Sequence, residues 1–290
     1  MTVKMATRFS KRFSHNFFGN LCFFIFLLVI ALFMVIPLIF TVSNAFKPLD
    51  ELFLFPPTLF PKNPTFSNFR GLSLITMESV VPFTRYFANS IFVTIVGTVG
   101  NIVISSLAAY RLAKFRFPLG NFLFNLVVFS LLFSGAVTGI PSYLIMSKLG
   151  LLDSHLSIIL PAFSSSLGLF LMKQFMEQMI PDALIEAAQI DGASEWRIYW
   201  SIVMPIVKPA WFTLLIFAFK DLWNSTGGIT VFSEELKTLP YALQSISAGG
   251  IARTGVSAAV SLLMVIPPIV VFLISQSNVL QTMASSGIKE

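Results

Sequence analysis

The sequence predicts an all-α polytopic membrane protein of about six transmembrane helices, N-in and C-in. Three observations predict it. The 290 residues are 56% hydrophobic but only 11% charged, whereas a soluble domain carries about 25% charged residues. The charges leave apolar runs close to the ~20 residues that cross ~30 Å of hydrocarbon. The basic residues, which bring the net charge to +6, gather at the ends of those runs and not on a soluble basic face. Membrane topology explains them, and no nucleic-acid partner is expected.

The spans follow in order, within one domain covering residues 1–290. The first is 17–40, longer than the h-region of about 7–15 residues in a cleavable signal, with Lys4, Arg8, Lys11 and Arg12 before it on the cytoplasmic side. The second, 87–110, returns the chain to that side at Arg111, Lys114 and Arg116. The third is 119–145, the fourth 156–174, the fifth 209–227 and the sixth 256–280, with Lys148 and Asp153 outside. Cys22 is the only cysteine, which excludes an intramolecular disulfide and a CxxC site, and His15 and His155 have no partner at metal-ligand spacing. No metal is expected.

Two loops are too long to be turns. The outer one, 47–85, carries Pro48, Pro56, Pro57, Pro61, Pro64 and Pro82 among Phe and Leu. Repeated proline argues against a long helix there, and the apolar content against free disorder. The loop 175–208 is cytoplasmic and rich in charge. Pro181 suits the first turn of a helix, and Asp182 and Glu186 suit its dipole. Leu184, Ala187 and Ala188 form a narrow apolar strip at helical spacing. Gly192 bends the chain, and a second helix over 195–203 ends at Pro205. Two short helices at an angle are expected, with small residues at Ala187, Ala188, Gly192 and Ala193 open to a partner's backbone.

The fifth span is chemically the most informative. From Pro209 to Phe219 it covers only about 17 Å, so the helix must continue through Lys220 and Asp221. Charges in a span cost roughly 2.5–3.5 kcal/mol each at mid-helix and usually face a protein interior or a wet cavity. One reading is a polar translocation path, with Lys220, Asp221 and Asn224 offering hydrogen bonds and Trp223 an aromatic face for a sugar ring. The other is that Lys220 snorkels while Asp221 pairs with a neighbouring helix or subunit. Being adjacent, the two charges do not face one another on a helix. The 32 phenylalanines face lipid or other helices and carry no functional information as a set. Gly97 and Gly100, with Ser105 and Ser106, permit close helix packing. Ser164, Ser165 and Ser166 either line a cavity or pack on another helix.

The loop between the fourth and fifth spans resembles a known signature. Glu186-Ala187-Ala188-Gln189-Ile190-Asp191-Gly192-Ala193, followed by Ile202-Val203-Met204-Pro205, is similar to the EAA motif of bacterial ABC importer permeases, with Met204 in place of the usual Leu. Tyr86-Phe87-Ala88-Asn89-Ser90, the turn Ala109–Pro118, Gly150–Asp153, Trp223-Asn224 and Thr238-Leu239-Pro240 resemble landmarks of the carbohydrate type, like the smaller subunit of maltose-type importers. The C-terminal wording looks like a subgroup importing oligosaccharides from plant or algal polysaccharides. The resemblance implies that Glu186, Ala187, Ala188, Asp191, Gly192, Ala193 and Pro205 couple the chain to an ATPase. It also implies a second homologous permease, two ATPase subunits, an extracytoplasmic sugar-binding protein, an oligosaccharide substrate and a bacterial inner-membrane location.

Other classes fit less well. No GxxxxGK[ST] loop occurs, so ATP and Mg belong to a partner and this chain binds no cofactor. A secondary transporter would show internal repeats around an ion site. A membrane enzyme would need a catalytic constellation, and none lies within the spans.

Overall fold

In a computed structural model, residues 17–78 and 81–286 are described. The basic residues Lys4, Arg8, Lys11 and Arg12, together with His15 and Lys289, lie outside them. Every described element is helical. In chain order they are α1 (Phe17–Ala45), α2 (Leu49–Leu52), α3 (Ser67–Glu78), α4 (Phe83–Lys114), α5 (Gly120–Ser130), α6 (Gly135–Lys148), α7 (Leu156–Phe163) and α8 (Ser166–Met179). Then come α9 (Asp182–Ile190), α10 (Glu195–Ile198), a π-helical turn (Tyr199–Val203), α11 (Met204–Ile206), α12 (Lys208–Trp223), α13 (Leu239–Ser247) and α14 (Thr254–Ser286).

Among the described residues, four helical stretches are long and apolar enough to cross a membrane, and the pair Glu195–Ile206 and Lys208–Trp223, bent by 79°, makes a fifth when taken as one span. The third expected span is where the structure departs from the sequence reading. Residues 131–134 break it into α5 and α6, because continuous hydropathy does not by itself make a continuous helix. The first, second and sixth spans run longer than expected, as α1, α4 and α14; the fourth is broken between α7 and α8, and α12 ends at Trp223, short of the expected 227.

α4 organises the interior. Its buried residues fall into two adjacent rows of spacing four, Tyr86–Ser90–Thr94–Thr98–Ile102–Ser106–Tyr110 and Asn89–Val93–Gly97–Asn101–Ser105–Ala109, the ridge along which helices interlock. Apart from Val93 and Ile102 the rows are polar or small, whereas Ile91, Phe92, Ile95, Val96, Val99 and Ile104 are exposed. That inversion suits a helix with protein on one side and hydrocarbon on the other. Close approach is built in. A Cβ on Gly100 would lie 2.0 Å from Phe163, one on Gly97 2.6 Å from Leu222, and one on Gly168 2.8 Å from the Ser105 hydroxyl. The expected packing role of Gly97 and Gly100 is therefore met by α7 and α12. By contrast, α1 is exposed along most of its length and rests on α14.

The 47–85 segment is more ordered than its prolines suggested, because α3 forms beyond the proline cluster and packs on α14. Its anchor is ionic. Glu51, 4% exposed, accepts the Lys62 amide at 2.7 Å and the Thr58 hydroxyl at 3.3 Å. The Lys47 ammonium, 2% exposed, donates to Asn44 Oδ1 at 2.9 Å and to the Thr58 carbonyl.

Candidate functional site

The loop after α8 is built by local chemistry. Pro181, at φ −64°, leads into α9, and Asp182 occupies its first turn, where a carboxylate meets the positive end of the helix dipole. α9 ends in a Schellman motif: the Gly192 amide donates to Gln189 O and the Ala193 amide to Ala188 O, both at 3.0 Å. Gly192 stands at φ +75°, a conformation that a side chain would strain. Ser194 then caps α10, its hydroxyl accepting the Arg197 amide at 3.4 Å.

Two sequence expectations change here. Pro205 does not end the second helix. It lies inside α11, exposed, and the break comes at Val207. A proline has no N–H and crowds the preceding turn, and the wider π-helical turn before it accommodates both defects. Past the break, Trp211 Nε1 donates to Met204 O at 3.2 Å, satisfying a carbonyl the bend would orphan. The second change concerns α9. Its inward strip is Ile185 and Ala188, packed with Met172, Met176, Ile180, Tyr110 and Tyr199, whereas Leu184 and Ala187 face outward.

The outward surface carries Glu186, Ala187, Asp191 and Gly192, all exposed, with Ile190 86% and Trp196 63% exposed; Ala193 is half-buried. Behind it, three side-chain links fasten the loop to α4. Tyr110 donates to Glu195 Oε2 at 3.1 Å, and Gln189 reaches Glu195 Oε1 at 2.9 Å. The hydroxyls of Ser106 and Tyr199 meet at 2.6 Å. Lys114, with its side chain 4% exposed, donates to Ile180 O at 2.6 Å and to Asp182 Oδ1 at 2.8 Å. Sequence reasoning missed Tyr110, Glu195, Tyr199 and Lys114 as a unit, since only the fold brings residues some 70–90 positions apart together.

The charged end of α12 is arranged differently from expectation. The side chains of Lys220 and Asp221 are 65% and 74% exposed and do meet, at 3.6 Å; at the last turn of a helix a long lysine can fold back on its neighbour. Asn224 caps α12, its side-chain amide donating to Lys220 O at 2.8 Å. Trp223 is 2% exposed. Its ring stacks on Phe219 at 5.8 Å, meets the edge of Phe87 at 6.3 Å, and donates Nε1–H to Met264 O at 2.9 Å. Both the ring and its polar handle are engaged in the packing of α4, α12 and α14. Of the four residues expected on a path, Asp221 lines a cavity of about 320 Å³ with Asn101, Pro161, Ser165 and Phe217, and Trp223 lines a separate apolar one of about 340 Å³ with Thr94, Phe219 and Pro267. Ser164, Ser165 and Ser166 do both things considered for them: they line a second cavity, and Ser166 accepts a hydrogen bond from Ser130 at 2.6 Å.

Residues 101–283 match the family described as the inner membrane component of binding-protein-dependent transport systems. The chain belongs to this family. It is 35% identical over 205 residues to Protein LplC of Bacillus subtilis (strain 168), covering 71% of this chain and 67% of that one. It is 32% identical over 232 residues to the sn-glycerol-3-phosphate transport system permease protein UgpE of Pectobacterium atrosepticum, covering 78% and 82%. Its fold matches, with a TM-score of 0.76 and 25% identity over 93% of this chain and 99% of the other, a chain from a bacterial ABC transporter involved in the import of the acidic polysaccharide alginate. The chain is accordingly a membrane-embedded transport subunit, not an enzyme, and the earlier resemblance is borne out at the level of an ABC importer permease.

Proposed function

We propose that this chain is one of two homologous permease subunits of an oligosaccharide importer, a single transmembrane domain in a bacterial inner membrane. It works with two ATPase subunits, which hold ATP and Mg, and with an extracytoplasmic sugar-binding protein. The carrying observation is the α9–α10 surface. An exposed face with Glu186, Ile190, Asp191 and Trp196 stands on a base fastened to α4 by Tyr110, Tyr199 and Lys114. A partner that grips this face and changes shape on binding ATP moves α4 with it. The loop must make different contacts in the two states, since equal binding to both would shift nothing. An N-in, C-in orientation places this face on the ATPase side and Asn63 outside. Asn63→Cys is then labelled by an impermeant thiol reagent in intact cells and Ile190→Cys is not; the reverse pattern sinks the orientation.

The likeness to a glycerol-phosphate permease favours a second reading, a small phosphorylated solute. Against it, the charged residue lining the cavity beside α12 is the carboxylate Asp221, paired with Lys220 at 3.6 Å, so the wall holds no cation of its own for a phosphate. Uptake into proteoliposomes holding the complete importer decides between them. ATP-dependent entry of neutral or uronate oligosaccharides supports the proposal, and entry of glycerol phosphate alone overturns it.

A further inference from the structure

We propose that Pro267 and Pro268 form a hinge in α14, and that Trp223 clasps it as a positioning residue for the motion of transport. α14 stays helical through both prolines, yet neither has the N–H that would bond the carbonyl four residues before it. The amides lost are the helical partners of Leu263 O and Met264 O. Trp223 Nε1 donates to the second of these, Met264 O, at 2.9 Å. The indole N–H thus replaces the one that Pro268 lacks, which is how a neighbouring helix makes proline tolerable in a membrane span. Its aim is fixed from two sides, by the stack on Phe219 and the edge of Phe87.

The two halves of α14 are held differently. Before the prolines, Val256, Val260 and Met264 pack with Leu72 of α3 and with Leu239 and Ile246 of α13. From Ile266 to Ser277, by contrast, Ser275 alone is buried. A helix with one anchored half and one loosely held half bends where its own hydrogen bonds are missing. There is room for the bend. The apolar cavity of about 340 Å³ lies between Pro267 and Val270 of α14, Ile91 and Ile95 of α4, and Phe219 of α12. A swing of the C-terminal half towards α4 closes that space and buries apolar surface. α12 joins the hinge to the coupling loop: it follows α11 past the bend at Val207 and carries Trp223 as its last residue. Displacement of α9–α11 therefore reaches α14 at its joint.

The test uses the complete importer, with two readouts that do not depend on which solute it carries. Nitroxides are placed at Val99→Cys and Leu273→Cys, exposed positions on α4 and α14, in a Cys22→Ser background. Their spin–spin distance should shorten by about 2 Å between the nucleotide-free and the vanadate-trapped complex, the scale of helix shifts in such transitions. Pro267→Ala combined with Pro268→Ala should abolish the shift while ATP hydrolysis persists. Val270→Phe, which fills the cavity, should block it at an undiminished melting midpoint. No shift in the unaltered importer, or a full shift in either variant, overturns the hinge. Thermal unfolding reads the clasp. Trp223→Phe keeps the ring stack but loses the N–H, so the midpoint should fall by about 2–4 °C. Pro268→Ala returns an amide to Met264 O, so it should restore the midpoint of Trp223→Phe and raise that of the unaltered chain by less. Equal effects in the two backgrounds overturn the clasp, as does an unchanged midpoint in Trp223→Phe.

Discussion

The phenol of Tyr110 donates a hydrogen bond to Glu195 Oε2 at 3.1 Å, which ties the C-terminal end of α4 to the first residue of α10. Tyr110→Phe keeps the ring and its edge contact with Phe115 at 5.4 Å but removes the bond. One such bond contributes about 1 kcal/mol, too little to unfold the chain. The expected result is a normally assembled complex that hydrolyses ATP but imports less solute per ATP. Unaltered stoichiometry would show that this link does not carry the motion.

Gly192 is the second test. Its φ of +75° makes Gly192→Ala cost about 1 kcal/mol. Gly192→Pro does more, because it also removes the amide that closes α9 on Gln189 O. Proline here should abolish uptake and reduce co-purification of the ATPase, while the separate binding protein still binds solute. Normal uptake by the proline variant would remove the loop from the coupling role.

Gly100→Ala addresses packing. The added methyl would sit 2.0 Å from the Phe163 ring, so α4 and α7 must part or the ring must turn. Overpacking of this kind costs roughly 1–3 kcal/mol. A lower melting midpoint with all solutes affected alike is expected. An unchanged midpoint would mean the interface yields more easily than its geometry implies.

The Lys114–Asp182 pair predicts a pH response. The hydrogen bond from Lys114, aided by its charge, holds the Asp182 carboxyl below its ordinary value near 3.8. A depressed carboxyl stabilises the folded state above its unfolded pKa and loses that contribution as pH falls through the folded one. The attachment of α9 is therefore complete at neutral pH and weakens only below about pH 4. Asp182 is 75% exposed, so the pair contributes less than about 1 kcal/mol. Protection of the α9 amides, relative to their intrinsic exchange rate at each pH, should be equal at pH 7 and 5 and lower near pH 3.5. Asp182→Asn should remove most of that difference.

The sequence by itself determined that the chain is helical and crosses a membrane several times, because the cost of inserting a charge is set by each residue where it stands. It also placed the α9 turn. Asp191-Gly192-Ala193 carries its geometry locally, in a glycine free to take positive φ. Which face of each helix turns inward was decided only in three dimensions. Lipid tails and the protein interior are equally apolar, so hydropathy cannot tell them apart. Ile185 thus replaces Leu184 on the inner side of α9, and Trp223 packs into a buried cluster. The bond from Asn101 to the Ala162 carbonyl has the same origin: a lone amide in an apolar span is mute until the break in the fourth span sets that carbonyl against it. Lys220 and Asp221 were legible as an oddity in the fifth span, but their ion pair and the cavity beside Asp221 belong to the way α12 ends among its neighbours.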